Sequence, residues 1–286
     1  MMPPLRRAPY MLLLGATLSL AHCASDTTTD TPRSARQAMD GLEVIRWTTT
    51  RDTSTLEGLV VGFQKRPVMS SLATERLLQE GFLVSIVDQA DMSVLREKLG
   101  SSSMEIRTMY GIVPSWRQVF KRTMTTGQVI SVNGRGHASS NEILQLAARG
   151  WSTPTESGGC FQLEIAASIV PMTNEQDASL ARADRPQGTS IHNTGIETCL
   201  QANEVFIVLS ANQGPLKSGR GPGSELPLPP TVGHFLLGES ADLSGQETPL
   251  KGVTLLAFVP HMSASIQPTK KPALDPAAYA KPLVNP

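Results

Sequence analysis

The sequence predicts an α+β fold: an N-terminal α+β part followed by a mainly antiparallel β part, built as a sandwich or an open barrel. Two observations carry this. Short β-branched apolar runs, FLVSIVD, EVFIVLS and GVTLLAFVP, recur between turn-rich segments, the pattern of buried strands. Amphipathic stretches with start and stop residues, SSLATERLLQEG and MSVLREKLG, fall in the first half only. The 286 residues divide into an export signal (1–23), a polar tether (24–39), an α+β domain (40–135), a mainly β domain (136–262) and a Pro-rich tail (263–286).

The N-terminus sets the compartment. Arg6 and Arg7 precede an apolar run from Tyr10 to Ala21, and small residues close it. A run of about a dozen residues is too short for a bilayer-spanning helix, which takes about 20, and fits an export signal. Two processing outcomes stay open. Ser19-Leu20-Ala21 suits ordinary signal peptidase, and Leu20-Ala21-His22-Cys23 resembles a bacterial lipobox with Cys23 as the lipidated residue. His22 departs from the Gly, Ala or Ser usual there. Ala24 after the cysteine points to the outer membrane rather than inner-membrane retention. A lipid anchor would make the membrane itself a partner, since several acyl chains hold a protein where one binds only marginally. The tether ASDTTTDTPRSARQA lacks apolar periodicity.

In the folded region, GLEVIRWTTT and LEGLVVGF read as strands. SSLATERLLQEG reads as a helix capped by Ser70 or Ser71, stopped at Gly81, with Leu72, Leu77 and Leu78 on one face. FLVSIVD is a strand, and Asp91 then caps the helix MSVLREKL, which stops at Gly100. SSSMEIRTMYG, PSWRQVFKR and GQVISVNG carry short apolar or alternating runs, and Asn133-Gly134 marks a hairpin turn. NEILQLAARGW is a strand by the alternation of Leu144, Leu146 and Ala148, although Ser140 and Gly150 would bracket a helix. STPTESGG then returns the chain as a hairpin into CFQLEIAASIV. Residues 172–195 read as a long loop. EVFIVLS, VGHFLLG and GVTLLAFVP read as strands, with a Gly/Pro-rich loop after the first. The tail carries Lys270, Lys271 and Lys281 against Asp275 and reads as disordered.

Composition excludes some functions. With 25 basic and 25 acidic residues the net charge is zero, which argues against a nucleic-acid footprint. The three cysteines are Cys23, Cys160 and Cys199. With Cys23 lipidated or removed, an even pair remains, and an oxidising compartment predicts a Cys160–Cys199 disulfide. Cys160 after Gly158-Gly159 lacks the helix start or histidine base of a catalytic thiol.

No catalytic, cofactor or metal motif stands out. His137, His192, His234 and His261 lack metal-ligand spacing. There is no GxSxG elbow. Gly219-Arg220-Gly221-Pro222-Gly223 lacks the helix that a phosphate loop needs, because Pro227, Pro229 and Pro230 follow. Trp47, Trp116 and Trp151 are scattered and read as core or rim residues. The expectation is an exported, lipid-anchored envelope protein with a structural or binding role and an envelope protein partner. An enzyme would have to assemble its site from distant residues, His137, His192, Asp184 and Glu197 first among them.

The order FQLEIAASIVP, EVFIVLS, a Gly/Pro loop with VGHFLLG, then GVTLLAFVP loosely resembles the C-terminal half of secretins, which are outer-membrane pore proteins. The likeness covers residues 160–262 and lacks the family's usual Pro-Gly-Leu type signature. It implies a subunit of an oligomeric outer-membrane secretion-type assembly.

Overall fold

The computed structural model describes residues 40–100, 104–155, 158–172, 185–212, 228–239 and 252–262. The signal with Cys23, the tether, the glycine loop 219–223 and the tail lie outside the described residues. Among the described residues the chain is α+β with several antiparallel sheets, none closed into a barrel, an arrangement consistent with an α+β sandwich.

Sheet 1 has the order β2-β11-β12-β1-β3, from β1 (Gly41–Thr49), β2 (Phe82–Asp88), β3 (Met104–Gly111), β11 (Glu204–Ser210) and β12 (Val253–His261). Sheet 2 has the order β10-β8-β7-β4, from β4 (Val113–Met124), β7 (Glu142–Thr155), β8 (Gly158–Pro171) and β10 (Ile196–Leu200), with β9 (Thr189–Ser190) beside β8. A small hairpin pairs β5 (Val129–Val132) with β6 (Arg135–Ala138). Asn133 and Gly134 turn it with φ of 50° and 72°, as the Asn-Gly signal predicts. Sheet 1 draws β1, β2 and β3 from before residue 135 and β11 and β12 from well after it.

The unbroken apolar runs of β11 and β12 follow from burial on both faces. Successive side chains point to opposite sides of a strand. Phe206, Val208, Leu256 and Phe258 therefore face sheet 2, where Leu146, Ala148, Leu163 and Ile165 fill the sandwich core. Val205, Ile207, Leu255 and Ala257 face the other way, onto Leu56, Val60, Leu95 and Leu99. Those four belong to α1 (Thr53–Gly62) and α3 (Met92–Leu99), so sheet 1 is the middle layer of three. α2 (Ser71–Gln79) and α4 (Val232–Leu237) add Leu77, Val232 and Leu236 to the sandwich core.

Four local expectations are corrected. LEGLVVGF is not a strand but most of α1. Asp52 caps it, its carboxylate accepting from the Thr55 N–H at 2.8 Å, and Leu56 and Val60 are buried one turn apart. Hydrogen bonds from Ser54 and from Thr55 hold the Asp52 carboxyl well below the ordinary carboxylate range. VGHFLLG is not a strand but α4, with Val232 and Leu236 buried at helical spacing. In α2 only Leu77 is buried, while Leu72 and Leu78 face solvent, because they lie on different sides of a helix turning 3.6 residues per turn. Asp91 makes no side-chain cap to α3, since a 3₁₀ turn, Gln89–Asp91, already delivers the chain in helical geometry.

The NEILQLAARGW segment is strand β7, which pairs with β8 over its whole length. The 172–195 loop, where described, contains β9 and a 3₁₀ turn at His192–Thr194.

α4 is held by a close backbone approach. The Gly233 N–H donates to the Glu80 carbonyl at 2.8 Å, and a Cβ at Gly233 would stand 2.1 Å from the Gly81 oxygen. Only glycine fits there, and Gly81 itself has φ +81°.

Candidate binding surface

The two cysteines expected to pair do so. Cys160 on β8 and Cys199 on β10 form a disulfide, with their Cα atoms 5.6 Å apart. It fastens the short edge strand β10 to its neighbour. A disulfide points to a non-cytoplasmic, oxidising location. Among the described residues, no helix is long and apolar enough to cross a membrane.

Beside the disulfide sits an ionic knot. Arg66 donates from Nε and Nη2 to the two Glu204 oxygens at 2.9 and 2.8 Å, and from Nη2 to the Cys199 carbonyl at 2.7 Å. The Gln201 N–H adds a bond to Glu204 at 3.0 Å. Burial alone would raise the Glu204 carboxyl, but the Arg66 bonds, the Gln201 N–H and the Lys65 charge bring it net below its ordinary value. Arg66→Ala strands a buried carboxylate, and we expect a loss of about 2–3 kcal/mol in chemical denaturation. Arg66→Lys restores the charge but not the two-pronged geometry, so it recovers only part. A carboxyl lowered on folding stabilises above its ordinary range and loses that contribution as pH falls through the lowered value. The difference between wild type and Arg66→Ala should therefore shrink on acidification.

Glu80, just past α2, is the second buried carboxyl, and its Oε2 meets no donor among the described residues. Burial raises its pKa, and the Asn133 N–H and the Asn193 side chain offset this only in part. A carboxyl raised on folding contributes fully below its ordinary value and loses that contribution as pH rises through the raised one. Glu80→Gln is accordingly expected to stabilise the protein at neutral pH by about 1 kcal/mol. Melting curves against pH check this: the gain should vanish on acidification.

Of the polar residues named for an enzyme, His137 and Glu197 are each held by a different partner. The His137 Nε2 meets Glu142 at 2.8 Å, and the Gln162 side chain donates to Glu197 at 2.9 Å. His192 is exposed on its 3₁₀ turn, and Asp184 lies outside the described residues. Among the described residues, no group of His, Cys, Asp or Glu could hold a metal ion.

Two surface features escaped sequence reasoning. On the outer face of sheet 2, Arg149 stands over the Trp116 ring at 5.0 Å and over the Trp151 ring at 5.6 Å, and its guanidinium pairs with Glu164 at 2.7 Å. Two of the three tryptophans thus share one face, stacked on a cation. The spacing Arg149-x-Trp151 in a strand was the available signal, since residues two apart point the same way. The second feature is β3, where Met104, Ile106, Met109 and the following Ile112 are all exposed at an edge of sheet 1. Met104 and Ile106 share one face of that edge strand and Met109 lies on the other, and exposed large apolar side chains on an edge strand mark it as a candidate interaction surface.

Comparison with protein-family models, with curated proteins and with solved structures finds no match to this chain. Of the segments that carry the secretin-like order, VGHFLLG forms a helix.

Proposed function

We propose that the protein is exported, attached to the cell envelope through lipid on Cys23, and acts there by binding rather than by turnover. The disulfide is the observation that carries this reading, because such bonds persist outside the reducing cytosol. The export signal supplies the route, and the Cys23 context supplies the anchor to the periplasmic or outer-membrane surface. The exposed apolar residues of β3 and the Trp116–Arg149–Trp151 ladder supply faces suited to an envelope partner. Cell fractionation of a Cys23→Ser variant tests it. Export should persist while membrane attachment is lost. Unprocessed protein in the cytoplasm, for wild type and variant alike, would overturn the reading.

A second reading, a subunit of an oligomeric secretion-type assembly, is favoured by one observation: among the described residues, β3 leaves an edge of sheet 1 open. Rings seen by electron microscopy of the detergent-extracted protein would select it over the first, and their absence would remove it.

A further inference from the structure

The four edges of the two sheets are not treated alike. At β2 the outer edge is covered: the Lys65 N–H donates to the Ile86 carbonyl at 2.8 Å, and Arg66 forms a bridge to Ile86. At β10, Arg66 caps the Cys199 carbonyl and the disulfide holds the strand. β4 carries Pro114, Lys121 and two register shifts, devices that discourage pairing. β3 has no proline and no covering strand among the described residues, and its one register shift falls at the Gly111 end, leaving Met104–Met109 in regular register with β1. Among the described residues it pairs only with β1, and it exposes Met104 and Ile106 on one face and Met109 on the other, each by about two-fifths (40%, 39% and 42%).

The sequence of that free edge is self-complementary. In an antiparallel pair of identical strands related by a two-fold axis, residues equidistant from the centre face each other. Centred on Ile106, the register sets Glu105 opposite the partner's Arg107 and Arg107 opposite the partner's Glu105. Ile106 meets its own copy, and Met104 meets the partner's Thr108. Registers centred on Glu105 or Arg107 put like charges directly opposite, which destabilises a sheet. Glu105 and Arg107 already lie side by side on one face, where Glu105 also accepts from Trp47 Nε1 at 2.9 Å and meets Arg96 at 2.9 Å and Arg107 meets Glu43 at 3.6 Å, so the partner's pair would extend this charge network across the axis.

We propose that β3 is a docking edge for a second copy of this chain, pairing antiparallel about Ile106 to join the two copies of sheet 1 into one continuous sheet. The inference does not depend on export or lipidation, so either can fail without the other. The overlap is short, which places the interface at the small end, below about 1,200 Å² in total, and makes pairing concentration-dependent.

Cross-linking of the full chain tests this. In an Ile106→Cys variant, the two introduced thiols would lie about 5 Å apart across the axis. A short bis-maleimide should link residue 106 to residue 106 of another copy, identified by peptide mapping. An exposed control, Lys121→Cys on β4, should link at least tenfold more slowly. Charge variants in the Ile106→Cys background sharpen the result. Glu105→Arg alone and Arg107→Glu alone should each lose the link, and a mixture of the two chains should regain it between unlike copies. A link no faster than the Lys121→Cys control would overturn the proposal. So would a mixture that fails to restore it while both variants keep the wild-type melting profile.

Discussion

Replacing both Cys160 and Cys199 by alanine is expected to lower stability by about 3–4 kcal/mol, the chain-entropy value for closing a loop of this length. The bond spans a sequence separation of 39 residues, and Cys160 is buried at 2% exposure. The cost falls on one place. β10 is a five-residue edge strand whose ladder bonds reach only β8. Without the bond, the Cys199 carbonyl and Arg66 lose the fixed strand end that lets Arg66 reach Glu204 as well. Denaturant unfolding of wild type, reduced wild type and the double variant checks this. Reduction should reproduce the loss in wild type and change nothing in the variant.

Phe258→Ala is expected to cost a further class of energy, about 3–5 kcal/mol, by leaving a cavity in the sandwich core. Phe258 is fully buried on β12, opposite Val44 on one side and Phe206 on the other. Its ring meets Phe206 edge-on, with centroids 6.1 Å apart. β12 lies between β1 and β11, so the site is walled by backbone on both sides and cannot close around the missing ring. Phe258→Leu keeps most of the volume and should recover the larger part of the loss. Urea midpoints with an unchanged slope would confirm that stability alone has moved.

Much of the fold was legible in the sequence where one signal dominated. FLVSIVD, EVFIVLS and GVTLLAFVP are strands β2, β11 and β12, because β-branched runs of that length suit a doubly buried sheet. Leu144, Leu146 and Ala148 alternate into the core as β7. Short runs failed where period and composition disagreed. LEGLVVGF and VGHFLLG are apolar enough for strands, yet each buries residues four apart on a helix. For the first, Asp52-Thr53-Ser54-Thr55 was a readable helix start. For the second, the deciding contact is the approach of Gly233 to Gly81, which lies about 150 residues away in sequence and leaves no local trace.

The candidate surfaces were less legible. Cys160 and Cys199 followed from cysteine arithmetic. The Trp116–Arg149–Trp151 ladder needs β4 and β7 brought together, and the bare edge of β3 needs the strand order of sheet 1. Strand order is a tertiary fact. Glu105-Ile106-Arg107 was visible as letters, but its self-complementarity has meaning only once β3 is known to stand at an edge.

The central claim is an exported protein, anchored through Cys23 and stapled by Cys160–Cys199. The intact mass of the protein purified from its native envelope, before and after reduction, tests it most directly. The expected mass is that of a chain beginning at Cys23 with acyl chains attached, rising on reduction by two hydrogens as the disulfide opens. An unprocessed chain of 286 residues whose mass does not change on reduction would contradict it.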